Sequence, residues 1–181
     1  MEPGEFVEEF VAKDGRRITI RAPEMKDVQG YLQFINDLVA EGAPIMLNTP
    51  QSYADEMAYT AGKLDGMASG KELAIVATAE GRVIADASIA RGRGREQNVG
   101  TLGIAVSKQY RNIGLGFEMI RLLLDMAKAE KYRVIVLTVY ANNPAAKHLY
   151  EKLGFRQTGT IPKAAAFGAD LVDSLLMYKE L

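Results

Sequence analysis

The chain has 181 residues, with 22 Lys and Arg against 23 Asp and Glu, so its formal net charge is −1; it contains one His and no Cys. Without Cys there can be no disulfide, no thiolate metal site and no cysteine nucleophile, and one His cannot build a multi-histidine metal centre. The near-neutral charge argues against a nucleic-acid-binding module, which usually carries a basic excess. We therefore expect one domain, without a metal and without a nucleic-acid partner.

Neither a signal peptide nor a membrane span is predicted. The first ten residues carry four glutamates and no basic residue, the reverse of a secretory leader. The longest strongly apolar stretch, 134–141, is far shorter than the roughly 20 residues that cross a membrane as a helix. We expect a cytoplasmic protein with no membrane partner.

The first elements along the chain are predicted as one strand and two helices. Residues 17–21 alternate between polar and apolar side chains, which is typical of a half-buried strand. Apolar residues recur at helical spacing over 28–39. A weaker helical pattern spans 52–69, and we expect Gly62 and Gly66 to break it.

Three strands are predicted next, at 73–79, 83–90 and 99–106. The short Glu-Gly-Arg segment at 80–82 predicts a hairpin between the first two. An Arg/Gly-rich loop at 91–95 precedes the third strand.

The second half of the chain carries the clearest helical and strand patterns. Residues 115–129 form an amphipathic helix that is apolar on more than one side, and 134–140 is a β-branched run typical of a buried strand. A short helix follows, with Asn143 in the N-cap position and Gly154 just beyond the end. Two closing strands are predicted at 155–161 and 171–179.

This alternation of helices and strands predicts an α/β fold with a mixed sheet (α+β). The chain contains no internal repeat and no low-complexity linker. We interpret residues 1–14 as an N-terminal appendage and residues 15–181 as a single domain.

The segment from Val106 to Phe117 carries the first chemical signal. A strand runs into a turn with glycines at 114 and 116, and this turn opens directly into the 115–129 helix. The first turn of a helix offers unpaired backbone N–H groups, and glycine lets a ligand approach them, so this geometry suits a phosphate. A tight strand-to-helix connection without a ligand is the alternative. The spacing fits neither a nucleotide P-loop nor a dinucleotide fingerprint.

The second signal lies between Asn143 and Phe155. On this short helix one face carries Ala146, Leu149, Tyr150 and Leu153. The alternative to a functional face is a small core-facing helix with Tyr150 as a packed aromatic residue.

Together the two segments resemble the GNAT superfamily of N-acetyltransferases. The pattern is Arg111-x-x-Gly114-x-Gly116, followed by Asn-x-x-Ala-x-x-Leu-Tyr-x-Lys-x-Gly-Phe from Asn143 to Phe155. The resemblance implies a mixed sheet flanked by helices and splayed between the family's fourth and fifth strands, here 101–106 and 134–140. A looser likeness at 159–177 is similar to the phosphinothricin and small amino-acid N-acetyltransferases and to the protein N-terminal acetyltransferases.

The resemblance also implies acetyl-CoA as cosubstrate. The backbone is expected to pair with its pantetheine arm at Ile104, Ala105 and Val106. The pyrophosphate is expected on backbone amides of the turn, namely Arg111, Asn112, Ile113, Gly114, Leu115, Gly116 and Phe117. As catalytic residues the resemblance implies Asn143, at the pantetheine or thioester, and Tyr150, near the sulfur; both are also expected to contact the coenzyme.

The implied reaction is direct attack by a primary amine on the thioester in a ternary complex. Neutralising the amine at pH 7 costs about 4 to 5 kcal/mol, so the site needs a proton acceptor. Many relatives carry a glutamate on the fourth strand, whereas this chain has Thr101, which cannot act as a base. A water chain, a backbone carbonyl and a carboxylate from 36–41 remain open as the base.

The sequence says least about the identity of the acceptor substrate. The resemblance implies a small-molecule or peptide acceptor in a pocket formed by 30–65 and 160–175, with Tyr53, Tyr59 and Asp170 as candidate lining residues. His148 and the 91–95 arginines are expected to be solvated, although that loop could also meet an acidic acceptor or the coenzyme phosphates. A protein N-terminal or lysine acetyltransferase, a non-catalytic acyl-CoA sensor and a homodimer are open alternatives.

Overall fold

An eight-stranded mixed sheet forms the centre of the protein. The computed structural model describes residues 1–181. The strands are β1 (Phe6–Val11), β2 (Arg17–Arg21), β3 (Glu72–Ala79), β4 (Arg82–Arg91), β5 (Val99–Val106), β6 (Val134–Tyr140), β7 (Arg156–Phe167) and β8 (Asp170–Glu180). Their spatial order is β1-β2-β3-β4-β5-β6-β8-β7. All neighbours are antiparallel except β5 and β6, which are parallel.

Four helices flank this sheet: α1 (Val28–Ala40), α2 (Tyr53–Ala68), α3 (Leu115–Ala129) and α4 (Pro144–Lys152). The larger apolar cluster joins one sheet face to α3 and includes Tyr150 of α4. A smaller cluster joins α1 to the other face through Tyr31, Phe34, Leu38, Val76 and Val83. The mixed α/β class expected from the sequence is confirmed. None of the helices combines the length and the apolar character needed to cross a membrane.

Where the periodicity was strong, predicted and observed bounds agree. The strands at 17–21, 99–106 and 134–140 and the helix at 115–129 have the predicted limits. The predicted hairpin also exists. Ala79 pairs with Arg82 across a turn in which Glu80 and Gly81 have φ of 51° and 75°, the left-handed values that such tight turns require.

Helix α2 is continuous, so the expectation of a break at Gly62 and Gly66 is wrong. A capping box between Ser52 and Asp55 starts the helix. At Gly66 the backbone lies so close to β3 that an added Cβ would be 3.1 Å from the Cβ of Glu72. Glycine at this position therefore permits close packing instead of ending the helix.

The N-terminal segment is joined to the sheet edge. Strand β1 pairs with β2 along its length, Ala12 is buried, and Val7 and Phe10 pack against the larger core. The register shifts between Phe6 and Glu8, so the sequence of β1 lacks a clean period-2 alternation. This bulge explains why no strand was predicted within residues 1–14.

Candidate functional site

A splay between β5 and β6 forms the central feature of the site. The two strands pair only through Val99–Val134, Gly100–Ile135 and Thr101–Val136. Beyond Thr101, β5 stays paired with β4 as far as Val106, and β6 stays paired with β8 as far as Tyr140. The β5 edge from Leu102 to Val106 therefore has no strand neighbour. Backbone groups on such an edge need water or a ligand as hydrogen-bond partner.

The turn before α3 presents a row of free backbone donors. No N–H group from Asn112 to Phe117 has a hydrogen-bond partner within the protein; the next residue, Glu118, donates to the carbonyl of Gly114 at 3.1 Å. Asn112 and Gly114 have φ of 62° and 94°, which turns successive amides outward. These donors and the positive end of the helix dipole suit an anionic group such as a pyrophosphate.

Arg111 links this turn to β5 and to the end of α1. Its Nε donates to the carbonyl of Val106 at 2.9 Å, and its guanidinium is paired with Glu41, at the end of α1. The charge of Arg111 is thus engaged by a carboxylate. The contact ties the last residue of β5 to the helix on the opposite sheet face.

Helix α4 lies next to the start of α3. An added Cβ at Gly116 would be 3.3 Å from Cδ2 of Leu149, so this glycine allows the two helices to approach. Asn143 caps α4, because its Oδ1 accepts from the backbone N–H of Ala146 at 3.2 Å. The amide group of this side chain is left free to donate.

Tyr150 is the more deeply buried of the two predicted catalytic side chains. Only 7% of the residue is exposed, and its ring packs edge-on against Phe155 with centroids 5.9 Å apart. Burial raises the pKa of its phenol to about 12, so the hydroxyl stays protonated near neutral pH. A protonated phenol can donate a hydrogen bond to a developing negative charge.

The second polar centre lies on the sheet face covered by α1 and α2, and we call it the Asp86 cluster: Tyr31, Tyr59, Lys63 and Asp86. Nζ of Lys63 is 2.8 Å from Oδ1 and 2.6 Å from Oδ2 of Asp86. The hydroxyl of Tyr31 donates to Oδ1 at 2.8 Å, and that of Tyr59 lies 3.3 Å from Oδ2. The Tyr31 and Tyr59 rings pack edge-to-face.

Electrostatics within the Asp86 cluster keep its members in defined charge states. Burial alone would disfavour the charged form of Lys63, but the adjacent carboxylate of Asp86 raises its pKa above the ordinary value. Burial, with the charge of Asp86, raises the pKa of Tyr59 to about 12 and that of Tyr31 well above 10. At neutral pH the cluster therefore contains an ammonium and two neutral phenols around the carboxylate.

The comparisons with known proteins agree with this geometry. The model of the acetyltransferase (GNAT) family matches residues 33–155. The chain belongs to the GNAT family. It is thus an acetyl-CoA-dependent N-acetyltransferase.

This GNAT protein is similar to amino-acid acetyltransferases in sequence and to a solved acetyltransferase in fold. It is 29% identical over 148 residues to an L-methionine sulfoximine/L-methionine sulfone acetyltransferase of Pseudomonas paraeruginosa, covering 80% of this chain and 84% of that one. It is 32% identical over 108 residues to the L-amino acid N-acetyltransferase AaaT of Escherichia coli, covering 58% and 66%. A phosphinothricin acetyltransferase from Sinorhizobium meliloti, solved in complex with acetyl-CoA, has the same fold with a TM-score of 0.78 at 23% identity, covering 91% and 88%.

Several predicted residues of the GNAT domain converge on the splay, while others lie apart. Gly116 of the turn lies beside Leu149 of α4 and beside Ile104 and Val106 of β5. Thr101 is exposed on β5 at the point where the splay begins. Tyr53 and Asp170 are exposed and form no hydrogen bond with the Asp86 cluster. His148 is exposed, as expected.

Three residues of the Asp86 cluster were not predicted as site residues, namely Tyr31, Lys63 and Asp86. Lys63 and Asp86 each carried a signal in the sequence. Asp86 is a lone carboxylate within an otherwise apolar strand, and Lys63 continues a polar stripe along α2 that also includes Glu56 and Thr60. All three α2 residues are buried, and a buried polar stripe has the low hydrophobicity that made this helix look weak.

Proposed function

We propose that this enzyme transfers the acetyl group of acetyl-CoA to the primary amine of a small amino acid or a close analogue, by direct attack at the β5–β6 splay. The unpaired edge of β5 from Leu102 to Val106, ending at the 112–117 turn, carries the proposal. Relatives named for amino-acid acceptors support the substrate class.

In this proposal the main chain holds the cosubstrate. The backbone of Ile104, Ala105 and Val106 pairs with the pantetheine arm as an added strand would, and the free N–H groups of the turn hold the pyrophosphate. The bound cosubstrate thereby supplies the hydrogen-bond partners that the β5 edge and the turn lack within the protein. Arg111, already paired with Glu41, keeps the turn in place.

Two side chains act at the reacting end, one at the N-cap of α4 and one within that helix. Asn143, whose Oδ1 is fixed by capping, offers its amide N–H to the pantetheine or the thioester. The neutral amine nitrogen forms the new bond to the thioester carbon, the carbon–sulfur bond breaks, the sulfur leaves as a thiolate, and the proton that the nitrogen loses passes to solvent water. Tyr150 donates its phenolic hydrogen bond to that sulfur.

The acceptor approaches from the α1/α2 side of the sheet. There Thr101 and Gly103 of β5 are exposed, as is Ala90 of β4. Arg93 and Arg95 lie in the loop that joins β4 to β5, next to Ala90 and Thr101, and neither forms a salt bridge. These guanidinium groups could pair with the carboxylate of an amino-acid acceptor.

Release of free thiol from acetyl-CoA in the presence of a panel of acceptors tests the proposal. The panel contains L-methionine sulfone, L-methionine sulfoximine, proteinogenic amino acids, simple alkylamines and short peptides. We expect thiol release with amino-acid acceptors and none with N-acetyl-L-methionine sulfone, which lacks a free amine. Release with peptides alone would redirect the function to protein N-termini or lysines, and coenzyme binding without release for any member would favour the sensor.

A further inference from the structure

The Asp86 cluster lies one strand away from the proposed coenzyme edge. Asp86 on β4 is paired in register with Ala105 on β5, inside the stretch that has no neighbour on its other side. The carboxylate points toward α1 and α2, since it contacts Tyr31 and Lys63. It is therefore a carboxylate on the acceptor side, close to the place where the thioester would lie.

Open space adjoins this carboxylate. Gly103, two residues before Ala105, lies on the same sheet face, is exposed, and would meet no atom within 4 Å if it carried a Cβ. The side chain of Asp86 remains 14% exposed, whereas that of its partner Lys63 is only 1% exposed. A small ligand above Gly103 therefore has access to Asp86 but not to Lys63.

The carboxylate of Asp86 accepts three short hydrogen bonds and one long one. Lys63 binds both oxygens, and Tyr31 adds a normal hydrogen bond to Oδ1. The fourth hydrogen bond comes from Tyr59, whose hydroxyl is 3.3 Å from Oδ2, a long distance for a bond between hydroxyl and carboxylate, and this residue is 49% exposed. Tyr59 thus holds a position on Oδ2 that a stronger donor can take.

We propose that Asp86 binds the protonated amino group of the acceptor, in the place on Oδ2 that Tyr59 occupies loosely, with Lys63 and Tyr31 as positioning residues. This inference rests on the proposed function, because it assumes an amine acceptor at the splay. An ammonium donates up to three hydrogen bonds, and charge-assisted bonds of this kind are shorter and stronger than that of a neutral phenol. No proton is transferred in this binding step; the bound ammonium loses a proton to solvent water before its nitrogen attacks the thioester.

Other acidic groups near the cleft are already engaged or face elsewhere. Asp37 accepts from Gln33, and Glu41 is paired with Arg111. Glu56 is buried on α2, where burial and the charge of Asp86 raise its pKa. Asp86 is the carboxylate that combines a fixed orientation with access to the open space above Gly103.

Kinetics of Asp86→Asn and of the double variant Lys63→Met/Asp86→Asn test the assignment with L-methionine sulfone as acceptor. The double variant removes both charges of the Lys63–Asp86 pair together, so neither is left without its partner. We expect the acceptor KM to rise about tenfold or more in both variants, with the acetyl-CoA KM within about twofold of the wild type. Asp125→Asn, an exposed carboxylate on α3, is the matched control. A double variant with the wild-type acceptor KM would overturn the proposal.

Tyr59→Phe separates an anchoring role of Asp86 from a structural role of the whole cluster. Removing the loosely bound hydroxyl leaves Oδ2 free, so we expect an acceptor KM equal to or below that of the wild type. A rise as large as that of Asp86→Asn would contradict the displacement of Tyr59.

Calorimetric titration of n-butylamine into the coenzyme A complex tests amine binding at Asp86 without requiring acetyl transfer. The proposed function fails if the wild type acetylates no amino acid, but the titration still decides the role of Asp86. We expect the alkylamine to bind the wild type and Asp125→Asn and to bind the double variant about tenfold more weakly or worse. Equal affinities, or no binding to the wild type, would overturn the inference.

Discussion

The two sides of the splay hold their ligands with different parts of the protein. On the coenzyme side, the free groups are backbone amides and carbonyls of β5 and of the 112–117 turn, positioned by left-handed residues at Asn112 and Gly114. On the acceptor side, the polar groups are side chains from α1, α2 and β4 gathered around Asp86. A main-chain site tolerates changes of side chain but not of conformation, whereas a side-chain cluster depends on each member.

Removing Lys63 should have the largest effect and tests the acceptor side. Lys63→Met leaves Asp86 buried with two phenols as its remaining partners. We expect the free energy of unfolding in urea to fall by about 3–5 kcal/mol. Adding Asp86→Asn to this variant should recover most of the loss, because no unpaired charge remains. A Lys63→Met protein as stable as the wild type would mean that the cluster is not the coupled unit described here.

Changing Gly114 tests the coenzyme side through conformation alone. Its φ of 94° is strained for any residue with a Cβ, and a β-branched residue is the least able to adopt it. We expect Gly114→Val to weaken coenzyme A binding roughly 10- to 100-fold in a calorimetric titration, which corresponds to about 1–3 kcal/mol. Gly62→Ala is the control, since its added Cβ would meet no atom within 4 Å. Equal affinity for both variants would argue against the turn as the pyrophosphate site.

Tyr150 tests whether the coenzyme side needs any side chain for chemistry. Tyr150→Phe should lower kcat by about tenfold or more while coenzyme affinity and stability are retained, because the hydroxyl makes no hydrogen bond within the protein. Since burial raises the phenol pKa to about 12, ionisation of Tyr150 should not reduce the wild-type kcat between neutral pH and roughly pH 10. An unchanged kcat in the variant would remove Tyr150 from the mechanism.

His148 should give the smallest effect. The side chain is exposed on α4, two residues before Tyr150. We expect His148→Ala to change kcat and both KM values by less than about twofold, measured by thiol release across the pH range of histidine titration. A loss comparable to that of Tyr150→Phe would place an imidazole in the proton path.

The contrast between the two sides also explains what the sequence could predict. The coenzyme side is built from two short continuous segments, so the glycines of the turn, the strand before it and the capped helix from Asn143 were all visible as local patterns. The Asp86 cluster joins residues 31, 59, 63 and 86 from three elements, and their contact depends on how two helices cross the sheet. Of this cluster only Tyr59 was predicted as a pocket residue. Thr101 showed that the glutamate found in many relatives is absent from β5, but it did not point to Asp86.

A crystal structure of the enzyme with acetyl-CoA and L-methionine sulfone tests the central claim most directly, namely that the cosubstrate on β5 and an amine beside Asp86 meet at the splay. Tyr150→Phe, with its slowed turnover, is the variant to crystallise. The account predicts the pantetheine arm along Ile104–Val106, the pyrophosphate on the 112–117 amides and the amino group within hydrogen-bond distance of Asp86. A coenzyme bound outside the splay, or an amine remote from Asp86 on another carboxylate, would contradict it.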